Sequence, residues 1–172
     1  FDCNKLVFSS SASLYEPNDK GIFTESSPRN PINPYGKTKL AIEKILEDLF
    51  LSDIKKWKIA NLRYFNPVGA HESGLIGENP LITPTNLFPI ILKVAKGRIK
   101  KLPIYGGDWP TKDGTCIRDY IHIMDLAEGH ILALEYLLKS ENQIINLNLG
   151  SGIGTSVLDL VNTFQRVNDL KI

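Results

Sequence analysis

Lys5-Leu6-Val7-Phe8-Ser9-Ser10-Ser11 is a short apolar run that ends in three hydroxyls. A run of this length, bounded by small polar residues, reads as a buried strand opening into a loop. Residues 17–34 are rich in Pro, Asn, Gly and Ser, lack periodicity and read as loop. From Tyr35 the pattern changes. Leu40, Ile42, Ile45, Leu46, Leu49 and Phe50 form a helical apolar stripe, and Pro34 stands where a helix entry tolerates it. Ile59 to Phe65 then reads as a second strand, which Pro67 stops or moves to an edge.

Further along, residues 71–86 are polar with several Gly and Pro, and read as a long functional loop. Leu87 to Lys96 reads as helix. Leu102 to Gly107 and Cys116 to Ile121 read as short strands. Asp125 to Leu138 carries Leu126, Ile131, Leu132, Leu134, Leu137 and Leu138 at helical spacing. Ile144 to Leu149 is another strand and Ser156 to Val167 another helix, with Ser156 and Asp159 near its start. Strands alternating with helices predict βαβ units in an α/β fold: a partial doubly wound, Rossmann-type parallel sheet with part of a smaller lobe.

Composition narrows the function classes. A 172-residue chain with 42% hydrophobic and 23% charged residues is ordinary for a globular domain. A formal charge of +1 gives no electrostatic footprint for nucleic acid. No long apolar run spans a membrane. Two lone cysteines, Cys3 and Cys116, fit a reducing cytoplasm, and no Cys/His spacing suggests a metal. The opening on Phe1, directly before a strand, suggests a portion of a longer chain.

The chemistry-bearing constellation is Ser11 with Tyr35 and Lys39. Residues four apart at a helix start share a face. A lysine ammonium beside a phenol favours the phenolate, which suits proton transfer at a sugar alcohol. Ser11 ends a strand, where a doubly wound sheet places its ligand. A Tyr-x-x-x-Lys pair alone is weak, since a solvated lysine on an amphipathic helix gives the same spacing. Here it follows the serine-ended strand and lies within Pro34-Tyr35-Gly36-Lys37-Thr38-Lys39.

Three further runs make the pattern specific: Arg63-Tyr64-Phe65-Asn66-Pro67-Val68-Gly69-Ala70-His71, Asp113-Gly114-Thr115-Cys116-Ile117-Arg118-Asp119-Tyr120-Ile121-His122 and Asn148-Leu149-Gly150-Ser151-Gly152. In this order they resemble the UDP-glucose 4-epimerase family of extended short-chain dehydrogenases/reductases, over nearly the whole chain. The resemblance implies bound NAD, which oxidises C4 of a UDP-sugar; the 4-keto sugar turns and hydride returns to its other face. It implies Tyr35 as acid/base, Lys39 on the nicotinamide ribose and Ser11 on the reacting hydroxyl. Ser9 and Tyr64 would lie with them at the cofactor. Asn66, Asn86 and Leu87 would bind the UDP-sugar, Pro103 and Tyr105 would line the uracil pocket, and Arg118 would meet the diphosphate. Residues 1–70 and 119–152 would belong to the NAD-binding domain, and 71–118 and 153–172 to the sugar-nucleotide domain. The helix from Tyr35 would pair with its symmetry mate in a homodimer.

Other readings stay open for several residues. Without the surrounding run, Arg118 is more simply a salt-bridge partner of Asp119 or Asp113, and Asn66 a strand-end cap. His71, His122 and His130 read as structural or surface histidines. Gly150-Ser151-Gly152-Ile153-Gly154 mimics a dinucleotide fingerprint, but Thr155 stands at the third glycine, so a tight strand-to-helix turn is the better reading. A related 4,6-dehydratase would carry acids where Ser10-Ser11-Ala12 stand, and an inert homologue would lack Tyr35 or Lys39. No glycine-rich turn after a first strand is seen, so the polypeptide alone is expected to hold NAD weakly and to be inactive as an isolated fragment.

Overall fold

The structure is a computed structural model that describes residues 3–19, 21–82 and 84–172. It divides into two compact units: residues 1–67 with 124–150, and residues 68–123 with 151–172.

The first unit holds a three-stranded parallel sheet in the order β1-β2-β5, from β1 (Lys5–Ser11), β2 (Lys58–Tyr64) and β5 (Gln143–Leu149). Ser11, Tyr64 and Leu149 stand side by side at the carboxyl ends of the three strands. The central strand β2 is buried on both faces, as parallel strands are. Ala60 and Leu62 pack on Ala133 and Leu137 of the helix α3 (Ile123–Lys139), with Val7, Tyr64, Ile145 and Leu149 around them. The alternate residue Arg63 reaches the opposite face, where Glu43 of the helix α1 (Pro34–Ser52) meets it. Helix α1 begins as its sequence dictates. Asn33 caps it by accepting from Gly36 N at 2.7 Å, and Pro34 fills a first-turn position that needs no N–H.

The second unit is built on β4 (Ile117–His122) paired antiparallel with β6 (Gly154–Ser156), in the sheet order β3-β4-β6. Here β3 is Asn66–Val68, the stretch in which the chain enters this unit. Helices α2 (Leu87–Ala95) and α4 (Val157–Asn168) meet edge to face through Phe88 and Phe164, ring centroids 6.3 Å apart. The Asp113 carboxylate accepts from Thr115 N and Oγ1 at 2.9 and 2.7 Å and from Ser156 Oγ, while Ser156 caps α4 at Asp159 N. These donors, Ser156 first, hold the Asp113 carboxyl below its ordinary range.

Several sequence readings need correction. Leu102–Gly107 forms no strand: Pro103 lacks a ladder donor and Gly106 takes a left-handed φ of 83°. Of the two readings of Pro67, strand stop or edge, the edge is the one observed. The proline lies within β3, at the edge of its sheet, where its missing N–H costs nothing. The Gly150–Gly154 turn leads into the unforeseen strand β6, so the second sheet is not parallel. On α3 the stripe facing the sheet is Leu126, Ala133 and Leu137, whereas Ile131, Leu132, Leu134 and Leu138 are exposed. No helix among the described residues is long and apolar enough to cross a membrane.

Candidate active site

The first unit brings Ser9, Tyr35, Lys39 and Tyr64 together. Lys39 Nζ donates to Ser9 O at 2.8 Å, which ties the first turns of α1 to β1. The same ammonium lies 5.6 Å from the Tyr35 ring centroid and 5.2 Å from that of Phe8. Tyr35 and Lys39 therefore share one side of α1, as their spacing predicts, and Tyr35 is 56% exposed. Among the described residues one ammonium hydrogen is used, on Ser9 O, which leaves two for a ligand hydroxyl.

Gly36 makes this placement possible. A Cβ there would fall on the Ser13 carbonyl oxygen and 2.8 Å from Pro31 Cβ. Ser13 belongs to a single 3₁₀ turn, Ala12–Leu14, which Ser11 opens by accepting from Ser13 N at 3.2 Å. The start of α1 thus rests directly on the turn that ends β1. Gly36→Ala should cost at least about 1–3 kcal/mol, because the obstructing oxygen is backbone and cannot swing aside. An unchanged thermal melt for that variant would show that the contact yields.

Tyr64 is half-buried. Its hydroxyl is 2.7 Å from Ser9 Oγ, and it also hydrogen-bonds His130 Nε2. Burial pushes the Tyr64 phenol above its ordinary range, against the pull of the Ser9 hydrogen bond, and the neighbouring Tyr35 pushes the same way. Tyr64 keeps its proton at neutral pH and serves as a neutral hydroxyl. His130 Nδ1 is 2.8 Å from Leu126 O. His130, read from the sequence as a structural or surface histidine, is half-buried on α3 in the spacing Leu126, His130, Ala133, Leu137.

The remaining candidates stand as follows. Ser11 is buried at the end of β1, in register with Tyr64. Asn66 is exposed at the start of β3. In the second unit Asn86 is the exposed N-cap of α2, without a side-chain cap bond, and Leu87 opens that helix half-buried. Pro103 is exposed and Tyr105 is 82% exposed. Arg118 is exposed and donates to Ile117 O at 2.9 Å. Among the described residues no ion pair holds its guanidinium. Asp119, one of the two partners a plain salt bridge would use, accepts instead from Ser151 N and Oγ and from Gly152 N. The Ser151 and Gly152 N–H groups of the Gly150–Gly154 turn are thereby already satisfied.

Comparison with known proteins follows the same lines. The NAD dependent epimerase/dehydratase family matches residues 1–148. UDP-glucose 4-epimerase 4 of Oryza sativa subsp. japonica is 54% identical over 170 residues, which are 99% of this chain and 46% of that protein. UDP-glucose 4-epimerase of Bacillus subtilis is 49% identical over 172 residues, 100% of this chain and 50% of that protein. Among solved structures, a UDP-glucose 4-epimerase from Stenotrophomonas maltophila with bound NAD and formylated UDP-arabinopyranose superposes with a TM-score of 0.93. It is 46% identical over 98% of this chain and 50% of its own. The Bifidobacterium longum enzyme in complex with NAD+ and UDP gives 0.91 at 44% identity, again over 98% and 50%. The chain spans about half the length of the relatives it matches. With the Tyr35–Lys39 pair in place at the end of a parallel Rossmann-type sheet, it belongs to the NAD dependent epimerase/dehydratase family.

Proposed function

We propose that the protein carrying this chain interconverts UDP-glucose and UDP-galactose through a 4-keto sugar. The observation that carries the reading is the Tyr35–Lys39 pair: an exposed phenol and an anchored ammonium on one side of α1, beside the end of β1. Tyr35 takes the proton of the 4-hydroxyl as that carbon is oxidised and returns it on reduction. Lys39 stabilises negative charge on the phenol oxygen. Ser11 shares the reacting oxygen, and Asn66, Asn86 and Leu87 contact the nucleotide sugar. Pro103 and Tyr105 line the uracil. Arg118 offers the diphosphate a planar guanidinium that no acidic side chain among the described residues has claimed.

The residues present suit the nicotinamide end of NAD. The two unused Lys39 hydrogens fit a ribose diol, and the Ser9 and Tyr64 hydroxyls stand next to it. Bound NAD supplies the hydride acceptor and donor. Residues 1–70 and 119–152 serve the cofactor, and 71–118 and 153–172 serve the sugar nucleotide. Helix α1 leaves Ile42 and Ile45 37% and 63% exposed, which supports a homodimer paired through this helix. Both cysteines are free, in keeping with the cytoplasm.

The relatives' names agree with this substrate. A 4,6-dehydratase is disfavoured by Ser10-Ser11-Ala12, where Ser10 is committed to Glu43 at 2.6 Å. The test is to incubate the purified protein with UDP-galactose and resolve the nucleotide sugars by chromatography. UDP-glucose should accumulate to equilibrium, and recovery of UDP-galactose alone would overturn the reading.

A further inference from the structure

We infer that His130 is a positioning residue, which acts through Tyr64 and Ser9 on the Tyr35–Lys39 pair. The inference rests on the proposed function and extends it to a residue outside the acid/base pair.

Each group in this chain of contacts has a fixed number of hydrogens. A carbonyl oxygen only accepts, so Leu126 O requires that His130 Nδ1 carry a hydrogen. In the neutral ring Nε2 is then a bare lone pair aimed at the Tyr64 hydroxyl. Tyr64 has one proton and two partners, Nε2 and Ser9 Oγ. The hydroxyl is placed to donate to Ser9 Oγ, and the Nε2 lone pair draws on the same proton. His130 therefore sets how firmly the Tyr64 hydroxyl holds Ser9. Ser9 is also the residue whose carbonyl anchors Lys39 at 2.8 Å. The chain of contacts runs Leu126–His130–Tyr64–Ser9–Lys39, from α3 across β2 and β1 to α1. The His130 and Tyr64 rings meet edge-on, with centroids 5.3 Å apart and planes at 61°, so packing fixes what the hydrogen bonds orient.

Three variants of the whole protein test this. His130→Phe keeps a planar ring and removes both nitrogens. His130→Asn keeps a polar group near the position of Nδ1 but is too short for Tyr64. His130→Gln keeps an acceptor long enough to reach it. The first two should lower kcat by about tenfold to a hundredfold, the scale of a misplaced reacting group, with KM for UDP-galactose nearly unchanged. His130→Gln should restore most of the loss. In a Tyr64→Phe background, His130→Asn should add no further loss, because the residue through which it acts is gone. Failure of His130→Gln to rescue, or an undiminished effect in that background, overturns the inference.

A readout without turnover separates the two claims. In protein labelled with ¹³C-tyrosine, the Tyr64 Cζ resonance, assigned by its loss in Tyr64→Phe, should move in His130→Asn and not in His130→Gln. An unmoved resonance sinks the positioning role whatever the activity. A moved resonance in a protein that leaves UDP-galactose untouched sinks the proposed function and keeps the hydrogen-bond chain.

Discussion

Tyr35→Phe, made in the protein that carries this chain, should lower turnover of UDP-galactose by about 10²–10⁴-fold, the range that a positioned acid/base group contributes. The change deletes one oxygen from a side chain that is 56% exposed, so the fold loses almost nothing with it. Lys39 keeps its bond to Ser9 O and so its place on α1. The substrate is still held by groups that Tyr35 does not touch, so KM should change little while kcat collapses, the signature of an interaction made in the transition state. Steady-state kinetics with UDP-galactose, alongside a thermal melt of both proteins, decide it. Turnover within about threefold of wild type would remove Tyr35 from the chemistry. A fall in kcat matched by a fall in melting temperature would assign it to the fold.

The sequence made the parallel sheet and the Tyr35–Lys39 face legible because both follow from short-range rules. An apolar run in a parallel sheet is buried on both faces, and two side chains four apart on a helix are neighbours. Long-range polar pairing was not legible. Glu43 lies in the apolar stripe of α1 and looks like a residue of its wet side, yet it is 0% exposed because Arg63, twenty residues later, comes up beneath it. The stripe read from Leu40 to Phe50 therefore named Leu46 correctly but missed the charge that decides the packing. Exposed Ile131, Leu132, Leu134 and Leu138 show the converse: apolar spacing on α3 is wider than the surface the described sheet offers it. Motif order pointed to Ser11, Tyr35, Lys39 and Arg118 as candidates. His130 carried only the weak signal of its place between Leu126 and Ala133, because its role depends on a partner 66 residues away.

Glu43 carries the largest stability effect expected. Arg63 is 1% exposed and sits in a bidentate pair, with Nε to Oε1 at 3.0 Å and Nη2 to Oε2 at 2.7 Å. Ser10 Oγ donates to Oε1 at 2.6 Å, and Arg29 reaches Oε2 at 3.3 Å. The remaining Arg63 nitrogen donates to Tyr15 Oη and Glu25 O, both at 3.0 Å. Glu43→Ala leaves that guanidinium buried without its counter-charge, at a cost of about 3–5 kcal/mol. That is a large part of the roughly 5–15 kcal/mol that holds a domain together. Replacing both partners, as Glu43→Leu with Arg63→Met, should recover much of the loss, because no unpaired charge then remains.

The pair also fixes an acid limb. Burial drives the Glu43 carboxyl up, but the hydrogen bonds from Arg63 and Ser10, with the Arg63 charge and Arg29, bring it below its ordinary value of 4.5. A carboxyl lowered by folding contributes stability above its unfolded value and loses it as pH falls through the folded one. Wild type should therefore lose this contribution below about pH 4.5. Glu43→Gln, already lower at neutral pH, should show a shallower loss over the same interval, since its amide cannot titrate. Urea melts of both proteins from neutral to acid pH read the difference directly. Parallel curves would mean that Glu43 binds its proton equally well folded and unfolded, and that Arg63 is neutralised by something other than this carboxylate.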